Sequence, residues 1–308
     1  MIEKKEKKGN ITIYYVKKDD VKLSNLLDKK LKTTDINTII TNDADVYTID
    51  GKLLLRFRKN KLNKEIVQDF YDNVIKFAKT PTTTRGSSSG SKKKNIYDNP
   101  KIMTNIIGYF DKLSPRQKFM FKQNGQKNPK MTVRETRFLQ DYPDKFKKLI
   151  PLIKEIDNYY EQYVPENYGK QKKKANQTPY RIANTAFTTL TTNINYQTAV
   201  HTDKGDDAEG FGNLTVIENG KYKGGEICFP QYGIGVDLRT YDVIYMNVHE
   251  PHGNLPIKLE SPDAMRLSIV CYLRKNIWDQ TKGKTKKFME QHNKTMKNMR
   301  KKYIKKKK

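Results

Sequence analysis

The chain has 308 residues, of which 35% are hydrophobic and 10% aromatic, so it can bury one large core or two small ones. No apolar run approaches the roughly 20 residues that a membrane-spanning helix needs, and the start, MIEKKEKKGNITIYYV, lacks the apolar core of a signal peptide. We therefore expect an intracellular protein, cytoplasmic or nuclear, that is not secreted and has no contact with a membrane.

The formal charge of +27 is the strongest compositional signal. Such a surplus attracts polyanions and gives salt-dependent affinity for nucleic acid. An AT-rich, lysine-heavy coding bias explains the same surplus without any binding surface. The charge therefore favours DNA or another nucleic acid as a partner and says nothing about activity. The two cysteines, Cys228 and Cys271, lie in apolar runs, which favours reduced core residues over a disulfide.

The N-terminal region combines a hairpin, a helix and a linker. Two apolar runs flank Asp50-Gly51 in DVYTIDGKLLLRFRKN, which predicts a β-hairpin because both turn residues tolerate positive φ. KLNKEIVQDFYDNVIKFAK has apolar residues at helical spacing. TPTTTRGSSSGSKKKN, residues 80–95, has the composition of a flexible surface loop or linker. A second helical stretch over 143–164 is expected to be interrupted or kinked at Pro151.

From Thr185 onward the pattern changes to short β-branched and aromatic runs separated by Gly, Pro, Asn and Asp. These runs are TAFTTLTTNINYQTAV, GNLTVIE, GGEICFP, YDVIYMNV and MRLSIVCYLR. Short strands at this spacing predict a sandwich, jelly roll or barrel. The tail 279–308 returns to helix-like and very basic sequence, which suits either a solvated appendage or an arm that holds DNA.

Three of the four histidines fall between residues 201 and 252. His201 and Asp203 are two apart, so in an extended segment both project to the same side. The later run NVHEPHGN follows a separate strand and supplies a third candidate. Two histidines and one carboxylate on one face of an octahedral ion leave open positions, as in non-haem Fe(II) oxygenases. The H-x-D pair taken alone is more typical of a hydrogen-bonded surface turn.

Arg266 opens the strand RLSIVCYLR, and Ser268 lies on the same face two residues later. A guanidinium and a hydroxyl projecting from one strand form a bidentate seat for a carboxylate. A dicarboxylate that also chelates a metal needs such a seat at its far end.

Residues from about 180 to 275 resemble the Fe(II)/2-oxoglutarate dioxygenase domain of the TET/JBP family, which oxidises methyl groups of pyrimidine bases in nucleic acid. The resemblance runs through the H-x-D segment, GKYKGGEICFPQYGIGVDLRTYDVIYMNVHEPHGN and RLSIVCYLR. The upstream pieces NIIGYFDK, RETRF and LIPLIKEIDNYYEQYVPENYG resemble that family's helical N-terminal part. The resemblance thus covers roughly residues 100–275.

The resemblance implies that His201, Asp203 and His252 bind Fe(II) as the catalytic centre and that Arg266 holds 2-oxoglutarate, with O2 as the second co-substrate. His252 is favoured over His249 because HGNLPI resembles the family's distal H-x-x-x-P stretch. His249 is then a substrate or supporting residue, with the exchange of the two left open. One departure is Tyr241, where many relatives have glycine before the aspartate; it affects a turn and no ligand.

Four other side chains are candidates for contact with the substrate base or the co-substrate. Tyr272 and Arg274 share a strand face with Arg266 and Ser268, so Tyr272 can stack on a flipped base and Arg274 can bind its edge or a phosphate. Asp206 can accept a hydrogen bond from an exocyclic amino group, and Asn195 can contact the co-substrate. The plainer alternatives are barrel core for Tyr272 and a solvated loop carboxylate for Asp206.

We therefore predict an α+β protein with a mainly β core, a double-stranded β-helix (jelly roll), with flanking N-terminal helices and a basic C-terminal helical tail. The expected regions are 1–95, a dioxygenase domain over 96–278 (helical part 96–178, jelly roll 179–278) and the tail 279–308. The expected activity is hydroxylation of the 5-methyl group of 5-methylcytosine or thymine in DNA. The alternatives are hydroxylation of an N-alkylated base or of a prolyl or lysyl side chain, and a non-catalytic DNA-binding protein.

Overall fold

The computed structural model describes residues 1–21, 23–85, 87–91, 95, 98–113, 115–123, 125, 127 and 131–305. Parts of the predicted linker (86 and 92–94) and the last three residues of the predicted tail lie outside the described residues. The helices are α1 (Lys64–Ala78), α2 (Pro115–Gln123), α3 (Arg137–Asp141), α4 (Pro143–Tyr163), α5 (Pro165–Ala175), α6 (Lys275–Thr281) and α7 (Lys286–Lys305).

Most strands belong to two sheets. The main sheet has the order β1-β2-β4-β5-β13-β9-β16-β8-β6-β7, the minor sheet has the order β14-β11-β12-β3, and β10 pairs with β15. The strands are β1 (Ile2–Lys8), β2 (Ile11–Val16), β3 (Thr38–Ile40), β4 (Ala44–Thr48), β5 (Leu53–Arg58), β6 (Thr104–Phe110), β7 (Arg134–Glu135), β8 (Thr189–Ile194), β9 (Gly212–Asn219), β10 (Tyr222–Gly224), β11 (Ile227–Phe229), β12 (Ile234–Val236), β13 (Val243–Met246), β14 (Gly253–Asn254), β15 (Ile257–Leu259) and β16 (Met265–Tyr272).

The chain alternates between these two sheets from β8 onward. It passes from β8 in the main sheet to a bridge at His201 beside β14, back to β9, then to β11 and β12, to β13, to β14 and finally to β16. This alternation is a double-stranded β-helix, the jelly roll that the strand spacing and the resemblance predicted. The five runs that were read as strands each contain one of these elements.

Strand β16 shows how the sequence assigns the two faces of the main sheet. Because side chains alternate across a strand, one set packs on the helices and the other set points between the sheets. The set in the helix-facing core is Met265, Leu267, Ile269 and Cys271, and the set that faces the interior of the roll is Arg266, Ser268, Val270 and Tyr272. The interior set is largely polar, which places the candidate site between the sheets.

The N-terminal strands extend both sheets of the roll. β5 pairs with β13 in the main sheet, and β3 pairs in parallel with β12 in the minor sheet. The predicted hairpin is confirmed: β4 and β5 are antiparallel, and Gly51 between them has φ +82°. The segment 96–178 contains the strands β6 and β7 besides its helices. The division at residues 95 and 278 stays a prediction.

Two helices cover the outer face of the main sheet. Helix α1 begins at Asn63, whose side chain accepts hydrogen bonds from the backbone N–H groups of Glu65 (2.9 Å) and Ile66 (3.1 Å). Helix α4 runs through Pro151 without the interruption that the sequence suggested. An internal proline costs about 3 kcal/mol, whereas each fully buried Leu or Ile contributes about 1.5–3 kcal/mol. The buried side chains Leu149, Leu152, Ile153 and Ile156 therefore outweigh it.

At Tyr241 the backbone has φ +72°, a conformation that favours glycine. This is the position at which the sequence departs from the resembling family, and the departure does fall in a turn. The Tyr241 carbonyl accepts hydrogen bonds from the N–H groups of Lys61 (2.9 Å) and Leu62 (3.0 Å), which connect the turn to the start of α1. The turn is thus fixed by contacts with a distant segment rather than by its own residue type.

Asp157 joins helix α4 to the segment that enters β8. Its buried carboxylate accepts hydrogen bonds from the N–H of Ala186 (2.7 Å), the hydroxyl of Tyr168 (3.1 Å) and the ammonium of Lys172 (3.3 Å). We expect Asp157→Ala to lower the free energy of unfolding by about 2–4 kcal/mol, because it leaves buried donors unpaired. Denaturant unfolding measures this, with Asp144→Ala, an exposed carboxylate on the same helix, as the control. Equal unfolding midpoints for both variants would contradict the expectation.

The basic tail is helical, as predicted, and its described part packs on the domain. On α7, Met296 is buried against Leu113 and Phe121, and the ring of His292 hydrogen-bonds to the carbonyl of Val133 (2.9 Å). Both cysteines are buried and free, as expected. Among the described residues, no helix has both the length and the apolar composition needed to cross a bilayer.

Candidate active site

The structure brings His201, Asp203 and His252 into one group. His201 and His252 form an antiparallel bridge in which each backbone N–H donates to the other's carbonyl (2.9 Å in both directions). The backbone N–H of Asp203 donates to the carbonyl of Val248 (3.0 Å). Backbone pairing therefore holds two distant segments in register, and the potential ligand atoms of the three side chains lie within 4.8 Å of one another.

Hydrogen bonds fix the orientation of both imidazole rings. The Nδ1 atom of His201 lies 2.8 Å from the carbonyl oxygen of Ala199, and that of His252 lies 2.9 Å from the carbonyl oxygen of Glu250. A carbonyl oxygen can only accept, so each Nδ1 carries a hydrogen and each Nε2 presents a lone pair in the neutral ring. A ring whose Nδ1–H donates to a backbone carbonyl, with Nε2 left free to bind, is typical of metal-binding histidines.

The two Nε2 atoms face the carboxylate of Asp203. Oδ1 of Asp203 lies 3.6 Å from Nε2 of His201, and Oδ2 lies 3.8 Å from Nε2 of His252, both too far for a hydrogen bond. Burial, together with the neighbouring His201, lowers the pKa of His252 to about 4, so this ring is neutral at pH 7. Lone pairs that face a carboxylate repel it unless a cation lies between them. The donor set therefore fits a divalent ion such as Fe(II), bound by two nitrogens and one oxygen.

His249 lies outside this group. Its Nε2 donates to the backbone carbonyl of Asp207 (3.1 Å), and its own N–H donates to the side chain of Asn247 (3.1 Å). The ring is thus directed at a neighbouring loop, whereas the ring of His252 stacks at an angle on His201 with 4.5 Å between centroids. Of the two histidines that the sequence left open, the geometry favours His252.

Arg266 places a buried guanidinium between the sheets, next to Tyr222 and without a carboxylate partner among the described residues. It is only 4% exposed, and its Nε has no hydrogen-bond partner among the described residues. Nearby Glu218 is already bound by Arg239 (3.2 Å), and no described carboxylate reaches ion-pair distance of Arg266. Gly225, with φ +80°, leaves the space that Arg266 occupies, because a Cβ there would lie 2.9 Å from Nε. A buried cation without a carboxylate partner is costly, so this site fits a carboxylate ligand.

Ser268 and Asn195 lie next to Arg266 in different ways. Ser268 is buried, and its hydroxyl accepts a hydrogen bond from the side chain of Asn193 (3.3 Å). The side-chain oxygen of Asn195 accepts from the N–H of Arg266 (2.7 Å), so Asn195 fixes the start of β16. Its contact with a co-substrate stays a prediction. Sequence reasoning did not identify Asn193, although period-two alternation from Thr191 puts it on the interior face of β8.

Tyr272 and Asp206 lie at the other end of β16. Tyr272 is largely buried, and its hydroxyl hydrogen-bonds with that of Thr191 (2.9 Å). Asp206 is partly buried, and burial together with the charge of Asp203 raises the pKa of its carboxyl. Asp206 is also bridged to Arg274 through the backbone, which brings the loop after the H-x-D pair next to the end of β16.

Arg274 has a partner that the sequence did not reveal. Its Nε and Nη2 donate to the two carboxylate oxygens of Asp111 at 2.7 and 3.2 Å, and Asn276 donates to the same carboxylate (2.9 Å). The guanidinium also lies over the ring of Phe110, 4.9 Å from its centroid. Most of the fork of Arg274 is therefore engaged inside the protein, and its predicted contact with a base or phosphate remains a prediction.

The family model described as the Tet_JBP oxygenase domain of the 2OGFeDO superfamily matches residues 119–275, just over half of the chain. The chain is 32% identical over 202 residues to the bifunctional helicase and thymine dioxygenase JBP2 of Leishmania braziliensis, covering 65% of this chain and 16% of that protein. It is 30% identical over 187 residues to the thymine dioxygenase JBP1-B of Trypanosoma cruzi, covering 60% of this chain and 21% of that protein.

The chain thus spans about a sixth to a fifth of the length of these curated relatives. Among solved structures, NgTET1 in complex with 5mC DNA aligns with 16% identity and a TM-score of 0.49, covering 84% of this chain and 92% of that one. JOX2 in complex with 2OG, Fe and JA aligns with 11% identity and a TM-score of 0.34, covering 83% and 81%. From the match of the family model, the protein belongs to the Tet_JBP family, whose domain is an oxygenase of the 2OGFeDO superfamily.

Proposed function

We propose that the protein is an Fe(II)- and 2-oxoglutarate-dependent dioxygenase that hydroxylates the 5-methyl group of a pyrimidine base in DNA. The observation that carries the proposal is the group of His201, Asp203 and His252, together with the buried Arg266, which has no carboxylate partner among the described residues, in the same roll. Family membership supports the reaction type, and the names of two relatives, thymine dioxygenases, support the substrate class.

In this proposal His201, Asp203 and His252 hold Fe(II), and Arg266 with Ser268 holds the far carboxylate of 2-oxoglutarate. Bound iron supplies the activation of O2 that couples loss of CO2 from 2-oxoglutarate to oxidation of a C–H bond. The overall reaction converts O2, 2-oxoglutarate and the methyl group into CO2, succinate and a hydroxymethyl group, so one oxygen atom goes to each organic product.

The residues of the chain contribute position and charge. The carbonyls of Ala199 and Glu250 keep both Nε2 lone pairs directed at the metal position. The fork of Arg266 presents parallel N–H donors that match a carboxylate, and burial strengthens this interaction because no water competes. Together these contacts fix the diacid at both ends, one at the metal and one at β16.

A base stacked in a duplex cannot reach a site between two sheets, so the substrate nucleotide must leave the stack. Tyr272 offers an aromatic surface at the end of β16, and Asp206 lies beside it on the loop that follows the H-x-D pair. We infer that these two residues line the base pocket. His249, on the neighbouring loop that contacts Asp207, is a further candidate contact.

Positive charge on the protein surface suits contact with the DNA backbone. A cavity of about 560 Å³ is lined by four cationic side chains and by no acidic one among the described residues: Lys154, Arg181, Lys284 and Lys286. A protein that acts on DNA works in a compartment of the cell that contains DNA.

We expect Lys154→Ala/Lys284→Ala to weaken DNA binding without altering base preference, because neither lysine has an acidic partner at ion-pair distance among the described residues. Loss of two phosphate contacts makes the plot of log binding constant against log salt concentration shallower by about 2. Fluorescence anisotropy at several salt concentrations measures this slope. Lys147→Ala/Lys170→Ala removes two lysines that already pair with Asp144 and Glu166 and serves as the control. An unchanged slope in the first variant would exclude this cavity from the DNA interface.

The proposed function is tested by product analysis. Wild-type protein with Fe(II), 2-oxoglutarate and O2 is offered duplexes that contain thymine, 5-methylcytosine or an N-alkylated base, and prolyl and lysyl peptides. Mass spectrometry of the digested products is expected to show a 5-hydroxymethyl pyrimidine. Oxygen incorporated only into an N-alkylated base or a peptide would assign the same site to another substrate. DNA binding without succinate formation would indicate a non-catalytic protein.

A further inference from the structure

The described part of the loop after α1, a loop that the sequence assigned to a linker, contacts the segment that leads to His201. The backbone carbonyl of Ser88 accepts a hydrogen bond from the N–H of Ala199 (2.8 Å), and the Ser88 hydroxyl hydrogen-bonds with that of Tyr196 (2.9 Å). The carbonyl of the same Ala199 accepts from the ring of His201. A single residue, Ala199, thus connects this loop to the ring of His201.

Arg85 extends from this loop toward the base pocket. Its Nη2 donates to the hydroxyl of Thr191 (3.3 Å), which in turn hydrogen-bonds with Tyr272 (2.9 Å). Burial raises the pKa of Tyr272 and that of Asp206, and the positive charge of Arg85 counteracts this rise at both residues. Arg85 therefore lies close to both side chains that we assign to the base pocket.

Arg85 differs from Arg274, the other arginine at this end, in having no acidic partner. Arg274 is held by Asp111 in a two-point ion pair, whereas no described carboxylate lies within ion-pair distance of Arg85. Arg85 is partly buried, and among the described residues its side chain makes one hydrogen bond, which leaves other N–H donors of the guanidinium without a described partner. The pocket thus contains a cationic donor group that is available to a ligand.

The chemistry of the base decides what such a donor recognises. The atom next to the methylated position 5 of a pyrimidine is C4, so the group at C4 must lie beside the metal-binding residues when the methyl group does. Thymine has a carbonyl oxygen there, an acceptor, whereas 5-methylcytosine has an amino group, a donor. A guanidinium donates only, so it binds the first group and opposes the second.

We propose that Arg85 is a specificity-determining residue that donates a hydrogen bond to O4 of a flipped thymine, so that thymine is preferred to 5-methylcytosine. This inference rests on the proposed function, and it narrows the substrate to one base. A site built to hydrogen-bond one polar group rejects an analogue that cannot form that bond. The preference between the two bases therefore depends on Arg85, on the loop after α1, and not on the metal-binding residues.

The test measures kcat/KM on two duplexes of one sequence that differ only in the target base pair, thymine with adenine or 5-methylcytosine with guanine. The wild type is expected to prefer thymine if Arg85 faces C4, whereas Asp206, an acceptor in the same pocket, would favour the amino group of 5-methylcytosine. Arg85→Ala is expected to lose about 10- to 100-fold on thymine, the range for a lost charge-assisted hydrogen bond, and to keep or raise its kcat/KM on 5-methylcytosine, because the opposing donor is gone. Arg85→Lys keeps the charge without the planar fork and is expected to fall between. Arg137→Ala, an exposed arginine paired with Asp141 on α3, is the control.

A selectivity ratio between the two bases does not depend on how much of a variant is folded, so a fold defect cannot imitate the expected result. Equal losses on both bases, or a loss that appears only as a raised KM for 2-oxoglutarate, would overturn the assignment in favour of a phosphate or co-substrate contact. A wild type that prefers 5-methylcytosine would overturn it too, while leaving the proposed function intact. A wild type that oxidises neither base would refute the proposed function as well.

Discussion

Replacement of His252 by alanine is expected to abolish both Fe(II) binding and oxidation of DNA. The variant leaves one imidazole and one carboxylate, and removes the buried ring whose Nε2 faces Asp203 at 3.8 Å. Removing a hydrogen-bond partner of a metal ligand lowers metal affinity by roughly 10- to 100-fold. Removing the ligand itself must therefore lower the affinity by more than that. Anaerobic calorimetric titration with Fe(II), and succinate release in air, measure the two effects.

His249→Ala is the matched control for this prediction. His249 is three residues away on the same loop, but its ring contacts the carbonyl of Asp207. The control variant should keep its affinity for Fe(II), whatever it does to the DNA substrate. If instead His249→Ala lost the metal and His252→Ala kept it, the ligand set would have to be reassigned.

Replacement of Arg266 by methionine is expected to weaken the binding of 2-oxoglutarate and to raise the stability of the ligand-free protein. The dissociation constant for 2-oxoglutarate should rise by about 100-fold or more, because two charge-assisted hydrogen bonds of about 1.5–3 kcal/mol each are lost. Without 2-oxoglutarate the variant should have a higher Tm than the wild type, since it no longer buries a guanidinium whose Nε is unpaired. Calorimetric titration and thermal unfolding without ligand test the two parts.

Arg239→Met is the control for the prediction on Arg266→Met. Arg239 lies close by but is bound to Glu218 (3.2 Å) and Asp237 (2.6 Å), so its removal breaks satisfied ion pairs. It should lower the Tm and leave 2-oxoglutarate binding nearly unchanged. A lower ligand-free Tm for Arg266→Met, with unchanged co-substrate affinity, would show that Arg266 is structural and that its charge is not held for a carboxylate.

The jelly roll was predictable because its signals are local. The short β-branched runs after Thr185 each contain a strand, and the two-residue spacing of His201 and Asp203 already required a common side in an extended segment. The choice of His252 needed more than spacing. Only the structure shows that the carbonyl of Glu250 orients the His252 ring and that His249 turns to another loop.

Contacts between distant residues were not predictable. The alternation of side chains along a strand placed Arg274 on the same face as Arg266 and Tyr272. No local pattern connects Arg274 with Asp111, which lies 163 positions earlier. The composition of residues 80–95 is that of a linker, and nothing in it indicates that Ser88 binds the backbone beside His201 or that Arg85 reaches Thr191. Likewise β3 has three residues, too few for a strand signal, and its place beside β12 is fixed by tertiary packing.

Oxygen-isotope labelling tests the central claim most directly. Wild-type protein and His252→Ala are each incubated with DNA, Fe(II), 2-oxoglutarate and ¹⁸O2, and both succinate and the released nucleosides are quantified by mass spectrometry. We predict ¹⁸O-labelled 5-hydroxymethyl pyrimidine in a one-to-one ratio with succinate for the wild type and neither product for the variant. Succinate without a labelled nucleoside, or the labelled nucleoside at equal yield from His252→Ala, would contradict it.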